Sequence, residues 1–123
     1  MSLLLDTHIL IWWEEGARLD RKAAEAIRSS EVVYVSAVSG WEVAIKASLG
    51  RLHPRRAVPQ AVEESGFTEL PVLLRHMEEL QKLPWHHRDP FDRMLAAQAR
   101  AERLTLVTRD AVFGRYGVRV MRG

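Results

Sequence analysis

Cysteine is absent from the 123 residues, so neither a disulfide nor a thiolate metal site is available, and a reducing, cytoplasmic setting fits. The chain also lacks a basic start. Its first apolar run, Ser2-Leu3-Leu4-Leu5, is cut at once by Asp6, which argues against a signal peptide. No uninterrupted apolar stretch is long enough for a bilayer, and no membrane partner is expected. Glycine is missing where a phosphate-cradling loop would need it, because Asp6-Thr7-His8-Ile9 follows the first run. Lysine is missing after Lys82, and Asp6 is followed by Thr7 rather than a second acid. A phosphoacceptor receiver domain, which needs both features, is thereby set aside. Repeats, low-complexity tracts and linkers are missing too. A single domain over 1–123, large enough for a real core, is the expectation.

Charge of one sign is also lacking: 18 basic residues face 16 acidic ones, for a net charge of +2. That balance implies no polyanion-binding surface by itself. The distribution says more, because Arg88, Arg93, Arg100, Arg103, Arg109, Arg115, Arg119 and Arg122 load the last third with arginine. Arginine grips phosphates through its planar fork, although a solvated face explains such residues equally well.

What is present alternates between two kinds of segment. Ser2 to Leu5, Glu31 to Val35 and Leu104 to Val107 are short, apolar and β-branched or leucine-rich, as strands buried on both faces are. Phe67 to Leu70 reads as a weak edge strand stopped by Pro71, and Val118 to Val120 as a last short one. Between them lie helical patterns: His8 to Trp13, a segment capped by Asp20 and running to Ser29, and one capped by Ser36 and running to Leu49. In the last of these, Ala37, Trp41, Ala44, Ile45 and Ser48 recur at helical spacing and are read as the buried stripe. Ala57 to Ser65 continues as a helix. Leu74, Met77, Leu80 and Leu83 predict the apolar stripe of the next one. Pro90 to Glu102 is a helix with Asp89 at the N-cap, Pro90 in the first position, and Leu95, Ala96 and Ala99 facing inward. This order predicts an α/β fold: a three-layer α/β/α sandwich around a parallel sheet of four to five strands with right-handed crossovers.

In such a fold the C-terminal ends of the strands share one edge, where ligands bind. Asp6 ends the first strand, Asp110 follows the strand ending at Val107, and Asp92 lies in the first turn of the helix returning to that strand. Glu42 sits about two turns, roughly 9 Å, into its helix, and its longer side chain can reach back. Each has a local explanation: a turn at Asp6, an i,i+4 pair with Lys46 for Glu42, capping for Asp92, a turn at Asp110. Their convergence from four segments has none. A self-repelling carboxylate cluster needs either raised pKa values or cations, and oxygen donors suit Mg²⁺ or Mn²⁺. Pairs of such ions promote phosphodiester hydrolysis. His86 and His87, adjacent on a loop, are read as capping or packing residues rather than ligands of one ion. Trp12, Trp13 and Trp41 are expected to be buried in the core or, for Trp12 and Trp13, in an interface. Were they exposed, they would offer flat surfaces on which bases can stack.

The segments Leu4-Leu5-Asp6-Thr7-His8, Val35-Ser36-Ala37-Val38-Ser39-Gly40-Trp41-Glu42, Asp89-Pro90-Phe91-Asp92-Arg93 and Leu106-Val107-Thr108-Arg109-Asp110 together resemble the PIN-domain family. More narrowly, the chain looks like a VapC-type toxin of a toxin–antitoxin pair. The likeness spans essentially the whole chain, with the motifs in family order. It implies an endoribonuclease dependent on Mg²⁺ or Mn²⁺, with Asp6, Glu42, Asp92 and Asp110 as the catalytic and metal-binding quartet. Thr7, Asp89 and Thr108 take supporting positions, with Asp89 a helix cap or an outer-layer acid. Arg93 and Arg109 are candidate contacts for RNA phosphates. A cognate antitoxin, an RNA substrate and a homodimer are the implied partners. The competing expectation is a catalytically silent module that keeps the fold to bind RNA or protein.

Overall fold

A computed structural model describes residues 1–16 and 18–123. The chain runs β1 (Ser2–Leu5), α1 (Thr7–Glu15), α2 (Arg21–Ser29), β2 (Val32–Ser36), α3 (Ala37–Ser48), α4 (Val58–Glu64) and β3 (Thr68–Leu70). It continues through α5 (Leu74–Lys82), α6 (Pro90–Glu102), β4 (Thr105–Thr108), a 3-10 helix (Ala111–Tyr116) and β5 (Arg119–Arg122). The strands form one five-stranded sheet in the order β3-β2-β1-β4-β5, and every pairing is parallel.

β1 occupies the centre because its three leucines do not tolerate water. Leu3, Leu4 and Leu5 are all fully buried, each contributing about 1.5–3 kcal/mol of apolar burial. Side chains alternate across a strand, so the sheet feeds two cores. Leu4 and Leu106 pack with Leu95, Ala96 and Ala99 of α6 and with Phe113 and Tyr116 of the 3-10 helix. Leu3, Leu5 and Val107 pack on the other face with Ile9, Leu10, Ala23 and Ile27 of α1 and α2. The small residues of α6 let that helix lie close to the sheet. Its buried Gln98 accepts from Ser36 Oγ at 2.5 Å and donates to the Pro71 carbonyl at 3.2 Å. The expected sandwich and parallel sheet are found, with β3 and β5 as edges.

Two helix faces differ from the sequence reading. In α3 the inward residues are Val38, Ser39, Glu42 and Val43, while Trp41 is 60% exposed and Ala37, Ala44 and Ser48 face outward. Apolar residues lie on both sides of this helix, so periodicity fixes the spacing without choosing the face. In α5, Leu74 is 85% exposed and the fully buried residue is His76. Its Nδ1 accepts the Leu73 N–H at 2.9 Å and its Nε2 meets Glu102 at 2.9 Å, so a polar ring is satisfied in the core. Asp20 makes no side-chain cap bond and pairs with Arg122 instead.

Candidate functional site

The strand order reverses beside β1. From β1 the chain moves through β2 to β3 on one side, then returns to β4 and β5 on the other. Such a switch point opens a crevice outside the carboxyl ends of the strands. Asp6 stands at the end of β1 and Asp110 just beyond β4, on its two sides. Asp6 occupies the N-cap position of α1 but makes no cap bond, which leaves its carboxylate available to the crevice. A pocket of about 470 Å³ opens there, lined by Asp6, His8, Trp12, Glu42, Lys46, Asp89, Asp92, Arg109 and Asp110. All four carboxylates singled out in the sequence share it.

Each is held differently. Asp6 is buried and receives the Thr108 hydroxyl at 2.7 Å; that Thr108 oxygen in turn accepts the Asp110 backbone N–H at 3.0 Å. Glu42 is buried on the inner face of α3 and accepts from Lys46 Nζ at 2.7 Å, so the local i,i+4 pairing and membership of the cluster coexist. Asp89 caps α6, accepting the N–H groups of Phe91 at 2.8 Å and Asp92 at 3.2 Å. That leaves the Asp92 carboxylate free of capping duty. Asp110 caps the 3-10 helix through Oδ1, which accepts the Val112 N–H at 3.0 Å. Thr7 turns its hydroxyl to Ser39 at 2.8 Å, pinning α1 to α3 rather than touching a carboxylate.

The electrostatics follow from this placement. Burial, followed by the neighbouring Asp6 and Asp89 charges, pushes Asp92 up to about 7. Burial also raises Asp6, against the opposing hydrogen bond from Thr108. Asp110 goes the other way: burial pushes it up, but the His87 hydrogen bond and the Val112 N–H together hold it below the usual carboxylate range. The hydrogen bond to Glu42 raises Lys46. The pocket is thus a set of oxygen donors with too little positive charge among them. Hard divalent cations fit such a set. Ligand atoms of His87, Asp92 and Asp110 all lie within 4.8 Å of one another. Asp6 and Glu42 stand outside that triangle and act on Asp92 through their charge.

Two arginine readings separate. Arg93 is buried and spends its guanidinium on the carbonyls of Pro84 at 2.8 Å and Leu83 at 3.3 Å, stacked 3.7 Å from the Trp85 ring. It therefore holds the loop before α6 and, unlike Arg109, does not line the pocket. Arg109 lines the pocket, lies 4.3 Å from the Trp12 ring and donates through Nε to the Gly123 carbonyl at 2.9 Å. Trp41, expected inside, lies outside and meets Phe91 edge-on at 4.9 Å.

The residue that the sequence reading missed is His87. Its Nε2 lies 2.8 Å from Asp110 Oδ2, and its ring packs on Phe113 and Tyr116. His86 does not share that role and packs on Tyr116 alone. The only sequence signal was a histidine just ahead of a capped, doubly acidic helix start.

An all-parallel α/β domain with clustered carboxylates at its switch point describes the class. Residues 3–118 match the sequence model of the PIN domain, and the chain belongs to that family. It is similar to Ribonuclease VapC22 of Mycobacterium tuberculosis (strain ATCC 25618 / H37Rv), 29% identical over 121 residues that cover 89% of this chain and 87% of the relative. Among solved structures it resembles VapBC2 from Rickettsia felis bound to a DNA fragment from its promoter, with TM-score 0.76, 15% identity and coverage of 99% and 98%. It also resembles FitAcB from Neisseria gonorrhoeae, with TM-score 0.69, 23% identity and coverage of 97% and 96%. Among the described residues no helix is long and apolar enough to cross a membrane.

Proposed function

We propose that this chain, as a single PIN domain over 1–123, is the toxin of a toxin–antitoxin pair, an endoribonuclease that hydrolyses RNA phosphodiester bonds with Mg²⁺ or Mn²⁺. The observation that carries the reading is the meeting of Asp6, Glu42, Asp92 and Asp110, from four segments, in one pocket at the switch point. The VapC22 likeness and the toxin–antitoxin character of the structural neighbours support it.

In this reading Asp6 and Asp110 hold the principal cation, while Glu42 and Asp92 position it or a second one. A cation bound there supplies Lewis-acid charge to a phosphodiester oxygen and acidifies an attacking water. Thr108 keeps Asp6 and Asp110 in register. Arg109, at the rim, contacts a phosphate of the substrate. In-line attack by water leaves a 5′-phosphate and a 3′-hydroxyl. A cytoplasmic homodimer is silenced by an antitoxin segment that crosses the acidic pocket and offers an arginine to it in place of metal. One observation favours a silent binding module instead: Lys46 already places an ammonium on Glu42.

The deciding experiment is cleavage of total RNA by partner-free protein in Mg²⁺, Mn²⁺ or excess EDTA, with Asp92→Asn alongside. Metal-dependent cutting lost in the variant is expected. Cutting in EDTA, or products ending in 2′,3′-cyclic phosphate, would refute the mechanism. No cutting by folded protein under any condition would favour the binding module.

A further inference from the structure

Asp110 stands at the half-exposed end of a hydrogen-bonded chain that begins at the buried Tyr116. The Tyr116 side chain is fully buried, and among the described residues both hydrogen bonds of its hydroxyl are to His87. The His87 backbone N–H donates to the phenol oxygen at 2.6 Å, and His87 Nδ1 lies 3.1 Å from the same oxygen. The phenol has one proton to give. With its oxygen already accepting the backbone N–H, that proton finds its acceptor at Nδ1. Nδ1 is therefore unprotonated and the ring proton sits on Nε2, which points at Asp110 Oδ2, 2.8 Å away. The opposite tautomer would strand the buried O–H and set a bare imidazole nitrogen against a carboxylate oxygen. Both faults point to the same assignment.

We propose that Tyr116 and His87 form a positioning relay, in which His87 is fixed as an Nε2–H donor that orients the Asp110 carboxylate as a metal ligand while staying out of the ligand set itself. The inference rests on the metal-dependent reading of the pocket. Its geometry is complete at Asp110: Oδ1 is held by the Val112 N–H, Oδ2 by His87, and the backbone N–H by Thr108, whose hydroxyl continues to Asp6 Oδ2. A carboxylate at the end of a strand would otherwise sample several rotamers. Fixing both oxygens leaves their remaining lone pairs aimed in one direction before any cation arrives. Packing of the His87 ring on Phe113 and Tyr116 holds the donor in place.

The test is Mn²⁺ titration of the full partner-free chain at one fixed pH, followed by the loss of the free-ion electron paramagnetic resonance signal. Outer-layer partners of metal ligands are worth roughly 10–100-fold in affinity, and that weakening is expected for His87→Leu. A smaller weakening is expected for Tyr116→Phe, which keeps the buried ring volume and guards against a fold defect. His87→Gln, whose amide can donate to the same oxygen, should recover most of the affinity, which a purely packing role would not predict. Wild-type affinity in His87→Leu, or no recovery in His87→Gln, would overturn the relay. So would an electron spin echo modulation from an imidazole nitrogen bonded directly to Mn²⁺. A wild-type protein that binds no Mn²⁺ and cuts no RNA would bring down the nuclease reading along with the relay, an outcome distinct from the other three.

Discussion

Asp92 is strained electrostatically in the metal-free protein, and removing its charge should make the fold more stable. Its carboxyl rises from the ordinary 3.8 to about 7, chiefly through burial and then through Asp6 and Asp89. Because the folded value is the higher one, the unfolded chain releases this proton first. Stability falls as pH climbs from about 4 to about 7 and stays reduced above that window. A shift of that size corresponds to at most about 4 kcal/mol. Asp92 is only half-buried, and screening cuts the effect to about 1–2 kcal/mol. The variant is Asp92→Asn, matched in shape and without charge, in chelator-treated protein free of any partner. At pH 8 its melting temperature should exceed that of the wild type by about 3–8 °C. At pH 4 the two should melt together. Thermal denaturation followed by circular dichroism across this range gives the answer. An increment that is the same at both ends, or a variant less stable at pH 8, would refute the reasoning. A stabilising substitution that also abolishes RNA cleavage would mark Asp92 as a residue kept at the expense of the fold.

Divalent cation should relieve the same repulsion: Mn²⁺ at a hundred times its dissociation constant stabilises by about 2.7 kcal/mol, and that shift should shrink sharply in Asp6→Asn and reverse with EDTA. Arg93→Ala should cost about 1–3 kcal/mol in urea denaturation, by stranding the Leu83 and Pro84 carbonyls, yet leave RNA cleavage intact wherever the variant is folded. Arg109→Ala should do the converse, weakening RNA binding in a filter assay while cutting of saturating substrate persists. Hydrogen bonding to His76, then Arg75, holds Glu102 below its ordinary 4.5, so this pair adds stability above that pH and loses it as pH falls through the folded value. Glu102→Gln should therefore melt lower at neutral pH and show a flatter acid limb.

How much of this was legible in sequence depends on the range of the interaction. The alternation of strands and helices, the parallel sheet and the shared edge of Asp6, Asp92 and Asp110 follow from local patterns plus the rules of parallel crossovers, whereas the order β3-β2-β1-β4-β5 was not in them. Asp89 as cap and Ser36 as cap needed only their own neighbours, and both bonds are present. Asp20, with the same local signature, pairs instead with Arg122, a residue its own neighbourhood could not announce. Failures appear where composition was ambiguous on two faces of a helix or where a partner lay far along the chain. α3 carries apolar residues on both sides, and the sheet selected the face bearing Val38 and Val43. His76 is buried because Glu102, 26 positions away, completes its bonds. Arg93 looked like a surface cation because its two carbonyl partners belong to an irregular loop with no pattern of its own. His87 became informative only once Asp110 and Tyr116, 23 and 29 positions later, were seen around it.

The central position of β1 also fixes when the pocket comes into being. Asp6 meets Thr108 across 102 positions of chain, and β1 pairs with β4 over the same span. Contacts of such separation carry the largest loop-closure entropy and form late in folding. At about 5–20 residues per second, synthesis alone separates Asp6 from Thr108 by roughly 5–20 s. A growing chain displays Asp6 and Glu42 long before it owns Asp92 or Asp110, and without those two the switch-point crevice has only one wall. The nascent polypeptide therefore lacks a complete pocket, and the four carboxylates come together only when β4 pairs beside β1.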